Sequence, residues 1–379
     1  MRLVAAALLV VGVVACSTPH TATAAPSPGP LSIHGNRVVD GSGHTVVLRG
    51  IHRAYLDDPH ATGGEVSLDE LVLATHGRPG SWHGNVMRVP LGSAQWTGEC
   101  PLLYSSSKAY RANIDTLVKR LTDRGVVALL DLHVSTAGCT AIGRHAMPDA
   151  PITQHFWTQV ATHYAANPLV AFELYNEPHS TSDAIWRSGT ASPAQLDCPT
   201  SYPPGAIPPL CVAPAYRAVG MQELYDLVAA KAPHHLIVID GPGYASRPST
   251  QPVRGSFVYG VHPYTCPDPG AACDVTAKAH ANTSLLDRWR SVARVQPVMA
   301  TELGWPTYRP GSVPVYVDGA AYYRETLAYF QKQSPQWGFA AFAWDGGSTS
   351  GFSMVTDTGS YAPNSTAKPV FDLLRKGMR

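Results

Sequence analysis

Charged residues are scarce in this chain: Asp, Glu, Lys and Arg make up 15% of its 379 residues, and the formal net charge is +1. No basic cluster is present to track a phosphate backbone, so nucleic acid is not an expected partner. No acidic tail offers itself to a basic one. Metal-site spacings are missing as well. The 16 histidines are scattered, and neither HExxH nor CxxC occurs, so we expect no metal and no cofactor. No repeat recurs at a fixed period, and beyond residue 15 no long apolar run remains to cross a bilayer.

The one apolar run that is present stands at the N-terminus. Residues 3–15 carry no charge and follow Met1-Arg2, a length that suits a signal-peptide core and falls short of a membrane span. The run ends Val13-Val14-Ala15-Cys16, which resembles a bacterial lipobox with Cys16 as the lipidated mature N-terminus. An ordinary secretory signal cleaved near Ala24-Ala25 is the other possibility. Residues 17–30 are rich in Ser, Thr, Ala and Pro and read as a tether. The expected organisation is therefore a signal peptide over 1–16, a tether over 17–30 and one catalytic body over 31–379. We expect a monomer, secreted and lipid-anchored to the outer face of the cytoplasmic membrane or to the cell envelope. The lipid is its only expected membrane contact.

Seven cysteines fit export. With Cys16 used by the lipid, six remain, and six allow fifteen connectivities. Placement narrows these. Cys198 and Cys211 bracket one Pro-rich loop, Cys266 and Cys273 bracket another, and Cys100 and Cys139 follow neighbouring strands. We expect the bridges Cys100–Cys139, Cys198–Cys211 and Cys266–Cys273.

From residue 31 short apolar runs alternate with helical patterns, the sign of βα units and a parallel sheet. A hairpin centred on Gly35-Asn36 comes first. Eight candidate strands follow at 46–48, 86–89, 126–132, 169–175, 236–239, 257–261, 297–301 and 339–343, nearly all apolar, as strands covered on both faces should be. Helices are expected over 106–124, 151–166, 215–232, 275–295, 320–333 and 369–377, with only a vestige between strands five and six. The expected fold is a (β/α)₈ TIM barrel with an N-terminal β-hairpin and long disulfide-tied loops on the catalytic face.

Active sites of such barrels lie at the C-terminal strand ends. Those ends carry a polar set: Arg88 after strand two, His133 after strand three, Asn176-Glu177-Pro178 after strand four, His262 and Tyr264 after strand six, Glu302 after strand seven and Trp344 after strand eight. Each alone has a bland explanation in packing or surface charge. Six strand ends with one kind of chemistry are hard to obtain by chance. Two carboxylates on separate buried strands are what cleavage of a glycosidic bond requires, one as protonated acid and one ionised.

These residues, the FELYNEP stretch around Glu177, the lead-in 41–50 and Met147-Pro148-Asp149 resemble glycoside hydrolase family 5, the cellulase-type barrels with glutamates after strands four and seven. The likeness extends over nearly everything from residue 31 on. It departs mildly at strand one, where Ile51-His52 stands in place of the aromatic or acidic subsite residue of many members. The resemblance implies a retaining double displacement, with Glu302 as nucleophile and Glu177 as acid/base. Arg88 and Tyr264 would keep Glu302 ionised by hydrogen bonding. His133 and His262 would line the cleaved-sugar subsite, Asn176 would meet the 2-hydroxyl, and Trp344 would lie flat beneath the ring. Trp96, Trp186 and Trp305 are candidates for outer subsites, although Trp96 and Trp186 could equally pack their own loops. The implied substrate is a β-linked oligo- or polysaccharide, a cellulase-like β-glucan first. A β-mannan or β-1,3/1,6-glucan, transglycosylation of envelope glycans, and a non-catalytic glycan-binding lipoprotein are the alternatives.

Overall fold

The apolar runs close on themselves into a barrel. The computed structural model describes residues 29–54, 56, 66–99, 106–135, 145–194, 196, 215–265, 280–305, 319–344, 352–357 and 359–377. Cys16 and the three expected disulfide pairs lie outside the described residues. Strands β1 (Ser32–His34) and β2 (Arg37–Val39) form the antiparallel hairpin, with Ser32 opposite Val39. Gly35 turns it at φ 61°, a conformation open to glycine at little cost. The barrel strands follow: β3 (Arg49–Arg53), β4 (Val86–Gly92), β5 (Val127–Val134), β6 (Val170–Glu173), β7 (Ile237–Asp240), β8 (Val258–Gly260), β9 (Val298–Leu303) and β10 (Gly338–Trp344). Each pairs in parallel with the next, and β10 pairs with β3 to close the ring. Closure leaves no unpaired barrel edge.

The first barrel strand starts later than the expected 46–48. Its partner sets the start: Gly50 pairs with Val86, Ile51 with Met87 and His52 with Arg88. Val46 instead donates its N–H to Val38 O at 2.9 Å and belongs to the hairpin side. The helix Ser107–Thr122 is capped by the Ser106 side chain, which accepts from the N–H groups of Lys108 and Ala109. It buries Ile114, Leu117, Val118 and Leu121 along one stripe. The helix Ala150–Tyr164 has Pro151 in its first turn, where a missing N–H costs nothing. The helix expected over 275–295 is shorter, Thr283–Asp287 with a 3₁₀ turn at Val292–Arg294. Residues 241–257 form no helix, as their Gly, Pro and Ser content implies.

Buried side chains fall into two clusters that reveal the strand parity. The inner one joins Leu31 and Val38 of the hairpin to Val86, Val127, Leu129, Ala171, Val238, Val258, Met299 and Ala340. The outer one joins the alternate strand residues to the helices. Burying each of the Val, Leu and Met side chains among them contributes about 1.5–3 kcal/mol. Period-two alternation then carries the inner face upward to polar residues. Leu129 is followed by Asp131 and His133, Ala171 by Glu173, Val238 by Asp240, and Val86 by Arg88. Two irregularities break the alternation. Between Ala300 and Leu303 β9 carries one more residue than β10 does between Phe339 and Ala341. Between Ala341 and Trp344 β10 carries one more than β3. Such bulges re-aim side chains next to active sites. Here the first lets both Thr301 and Glu302 turn inward, and the second turns Trp344 outward.

Candidate active site

Arg88 organises the upper end of the barrel. It is fully buried, and its guanidinium donates to the Glu173 carboxylate through Nε (2.7 Å) and Nη2 (2.9 Å). Nη2 also donates to Asn176 Oδ1 at 2.9 Å and lies 3.0 Å from Asp131 Oδ2. Nη1 donates to Glu302 Oε1 and, at 2.9 Å, to His52 Nδ1. A buried cation is tolerable only with this many partners. Burial works against its charge, and the carboxylates of Asp131, Glu173 and Glu302 more than reverse that, so Arg88 stays charged.

Glu302 is 4% exposed, and both of its carboxylate oxygens are engaged. Arg88 donates to Oε1, and the Tyr264 hydroxyl donates to Oε2 at 3.0 Å. Burial alone would raise its pKa. His262 and Arg88 outweigh burial and hold it well below the usual carboxylate range. Glu177 follows β6 with φ 53°, a left-handed backbone rare outside glycine. Its Oε1 meets His262 Nδ1 at 2.9 Å, and its own N–H donates to Asp240 Oδ2 at 3.0 Å. One carboxylate oxygen of Glu177, one of Glu302 and a ring nitrogen of His262 all lie within 4.8 Å of one another.

The supporting residues are fixed in turn. Asn176 is held by Arg88 through its carbonyl oxygen, while its buried Nδ2 finds no partner among the described residues. His133 Nδ1 sits 2.6 Å from Asp131 Oδ2, which orients the ring and its tautomer. Burial would lower His262, but Asp240 and Glu302 push it up to about 9. His52 goes the other way. Burial and the neighbouring Arg88 keep it well below the usual imidazole value, so it is neutral and accepts at Nδ1.

The tryptophans correct the expectations placed on them. Trp344 has no accessible surface. The bulge in β10 sends it to the helix side, where it stacks on Tyr361 (4.9 Å, 3°), meets Trp82 edge-on and donates Nε1–H to Glu70 at 3.1 Å. No face is left for a ligand. Phe342, half-buried on the inner parity, packs instead against His52 (4.8 Å) and Phe352 (5.5 Å). Trp96, Trp186 and Trp305 are buried too. Trp96 lies edge-on to Phe156, Trp186 donates its indole N–H to Asp240 O at 3.0 Å, and Trp305 packs on Tyr322. They hold the loops and are not open platforms. Among the described residues the exposed aromatic at this rim is Tyr244, stacked on His179 (4.3 Å, 11°) with its N–H bonded to Pro178 O at 3.0 Å. Asp131, Glu173, Asp240, Thr301, His52, Phe342 and Tyr244 thus join the expected set. For the acids the signal was present in the sequence, since a charged residue in or ending a buried apolar strand needs a partner there.

An eight-stranded parallel barrel with two carboxylates this close at the ends of its fourth and seventh strands has the architecture of a glycoside hydrolase. Residues 78–347 match the family model described as Cellulase (glycosyl hydrolase family 5), and the chain belongs to that family. Endoglucanase 1 of Saitozyma flava is 25% identical over 210 residues, which cover 54% of this chain and 56% of that protein. The mannan endo-1,4-beta-mannosidase of Streptomyces lividans is 26% identical over 182 residues, 47% and 41% of the two. The chain thus spans about half the length of these curated relatives. Among solved structures, the beta-glucanase SdGluc5_26A of Saccharophagus degradans superposes with a TM-score of 0.61 at 21% identity, covering 91% of this chain and 93% of that one.

Proposed function

We propose that this protein is a retaining β-glycosidase acting on a β-linked glucan. The observation that carries the reading is the spacing of the two carboxylates, with oxygens within 4.8 Å. Retaining enzymes hold the two groups about 5–5.5 Å apart, while inverting enzymes leave about 6.5–9.5 Å for a water. Their environments differ as the two roles demand. Glu302 is held ionised by Arg88 and Tyr264, which suits a nucleophile. Glu177 is half-buried, more open than Glu302, and hydrogen-bonded to His262 rather than to a guanidinium, which suits an acid/base.

In this mechanism a Glu302 oxygen attacks the anomeric carbon while Glu177 gives its proton to the departing glycosidic oxygen. The bond to the aglycone breaks as the glycosyl ester forms. Glu177, now a carboxylate, takes a proton from water, and the hydroxide carbon bond replaces the ester, freeing Glu302. Asn176 Nδ2 is available to donate to the 2-hydroxyl, a contact that strengthens at the transition state. Tyr244 stands on the Glu177 side, where the leaving sugar must lie, and offers it an aromatic face. A glucan is favoured as substrate by the endoglucanase and β-glucanase relatives. The mannanase relative keeps mannan as the second substrate to assay. The anomer first released from a β-glucan tests the reading: it should be the β form.

Phe342, and not Trp344, would lie against the cleaved sugar. Phe342→Ala should raise KM about tenfold, the equivalent of one lost aromatic contact of about 1.4 kcal/mol. Trp344→Phe should leave KM within about twofold and cost about 1–3 kcal/mol of stability, because it removes a hydrogen bond to the buried Glu70 carboxylate and leaves Arg53 as the donor to that oxygen. Steady-state kinetics and denaturant melts of both variants check this. The opposite pattern would return Trp344 to the sugar site.

A further inference from the structure

We infer that Asp240 is a positioning residue for the acid/base Glu177, acting through the Glu177 main chain and through His262. The inference rests on the proposed roles of the two glutamates. Asp240 ends β7 and has no accessible surface. Its Oδ2 accepts the Glu177 N–H at 3.0 Å, on the residue whose φ of 53° must be held against its intrinsic preference. Its Oδ1 accepts the Thr301 hydroxyl at 3.1 Å. That hydroxyl oxygen lies 3.0 Å from His262 Nε2, and His262 Nδ1 lies 2.9 Å from Glu177 Oε1. Asp240 Oδ2 itself is 3.5 Å from His262 Nε2. One carboxylate thus grips the acid/base at both ends. It fixes the peptide N–H directly, and it fixes the carboxyl through the imidazole.

The surroundings are cut to fit this group. A Cβ added at Gly260, the neighbouring residue on β8, would fall 1.9 Å from Asp240 Oδ1, so the carboxylate fills space that a side chain there would take. The Asp240 carbonyl receives the Trp186 indole N–H at 3.0 Å, which pins the strand end. Oxygen atoms of Glu173 and Asp240 and a nitrogen of His262 lie within 4.8 Å of one another, so Asp240 stands close to a second buried acid. A carboxylate is expensive in such a place unless its donors compensate. A simple core would have an apolar residue there. Asp240 touches neither catalytic carboxyl group; it reaches Glu177 through the peptide N–H and the imidazole, and Glu302 only through His262, an effect that slows both kinds of substrate alike and cancels in their ratio.

Leaving-group dependence separates these effects. A dinitrophenyl leaving group departs without a proton, whereas a phenyl group needs one from Glu177. The experiment measures kcat/KM of the full chain on dinitrophenyl and phenyl β-cellobiosides for wild type, Asp240→Ala and Asp240→Asn. In Asp240→Ala the dinitrophenyl-to-phenyl ratio should rise about tenfold or more, since small misplacement of a catalytic group costs up to about 10²-fold. Asp240→Asn keeps an oxygen able to accept the Glu177 N–H, and its ratio should rise by a smaller factor. If Asp240→Ala does not fold, the isosteric Asn variant carries the test by itself. A ratio equal to that of wild type, with both substrates unaffected or slowed alike, overturns the inference. A wild type inactive on both cellobiosides overturns the glucan reading on which it rests.

Discussion

Glu302→Gln is expected to lower turnover by about 10⁴-fold or more while the barrel stays folded. The glutamine amide is nearly isosteric but cannot form the glycosyl ester. Arg88 loses one of its three carboxylates and keeps Glu173 and Asp131, so its charge stays compensated. The circular dichroism spectrum should match wild type, and the denaturant midpoint should stay close to it. Glu177→Gln makes the contrast. That variant should still release dinitrophenol in a first burst, because glycosylation of Glu302 then needs no acid. It should stall afterwards for want of a base, and added azide should restart it. Glu302→Gln should give no burst, and azide should not help in the same way. Equal residual rates for the two variants on both kinds of substrate would remove the distinction between nucleophile and acid/base.

Replacing Arg88 should produce the largest combined loss of stability and rate. Arg88→Met is similar in length and apolar, yet it takes from Glu173, Asp131 and Glu302 the guanidinium they share and leaves Glu302 only the imidazole of His262, 3.8 Å away, as a positive neighbour. Breaking a buried ion pair in this one-sided way costs about 3–5 kcal/mol. Arg88→Lys should not restore it, because a single ammonium cannot make the two-pronged contact to Glu173 while also reaching Asn176, His52 and Glu302. The rate should fall by about 10²-fold or more, as for other charged donors lost from a reacting centre.

The pH dependence of that loss has a definite sign. Glu302 is depressed in the folded state, so the stability it contributes is complete above the unfolded glutamate value of about 4.3 and disappears as pH falls through the folded value. Without Arg88 part of that depression goes. The stability gap between wild type and Arg88→Met should therefore be widest near neutral pH and should narrow in acid. The acid limb of kcat/KM should move up in the variant. Urea titrations at several pH values, together with a pH–rate profile, check both. A gap that widens on acidification would contradict the assignment of Arg88 as the group that keeps Glu302 ionised.

Much of the site was legible because a parallel barrel buries its strands on both faces. In a run such as Leu169 to Tyr175 the polar residue at the end is the anomaly, and Arg88, His133, Glu177, His262 and Glu302 all stand out this way. The hairpin and the missing helix after β7 were legible from Gly35-Asn36 and from the Gly and Pro content of 241–257. Bulges were not. One extra residue in β10 moved Trp344 from the inner face to the helix layer and put Phe342 where a tryptophan was expected. Nothing in the composition of that strand marks the insertion. Trp96, Trp186 and Trp305 misled for another reason, since an aromatic residue in a loop is as able to pack beneath it as to stand out from it. Asp240 obeys the strand-end rule without standing out in the sequence. It opens Asp240-Gly241-Pro242-Gly243, which looks like a turn and hides the end of the strand.

The stereochemistry of the first product tests the central claim most directly. A β-glucan oligosaccharide is mixed with enzyme, and proton NMR follows the new reducing end before mutarotation scrambles it. Two displacements at one carbon, the first by Glu302 and the second by water activated at Glu177, must return the β anomer. The account predicts that the β signal grows first and the α signal only at the rate of mutarotation. Initial release of the α anomer would mean a single displacement by water, and it would contradict the assignment of Glu302 as a nucleophile.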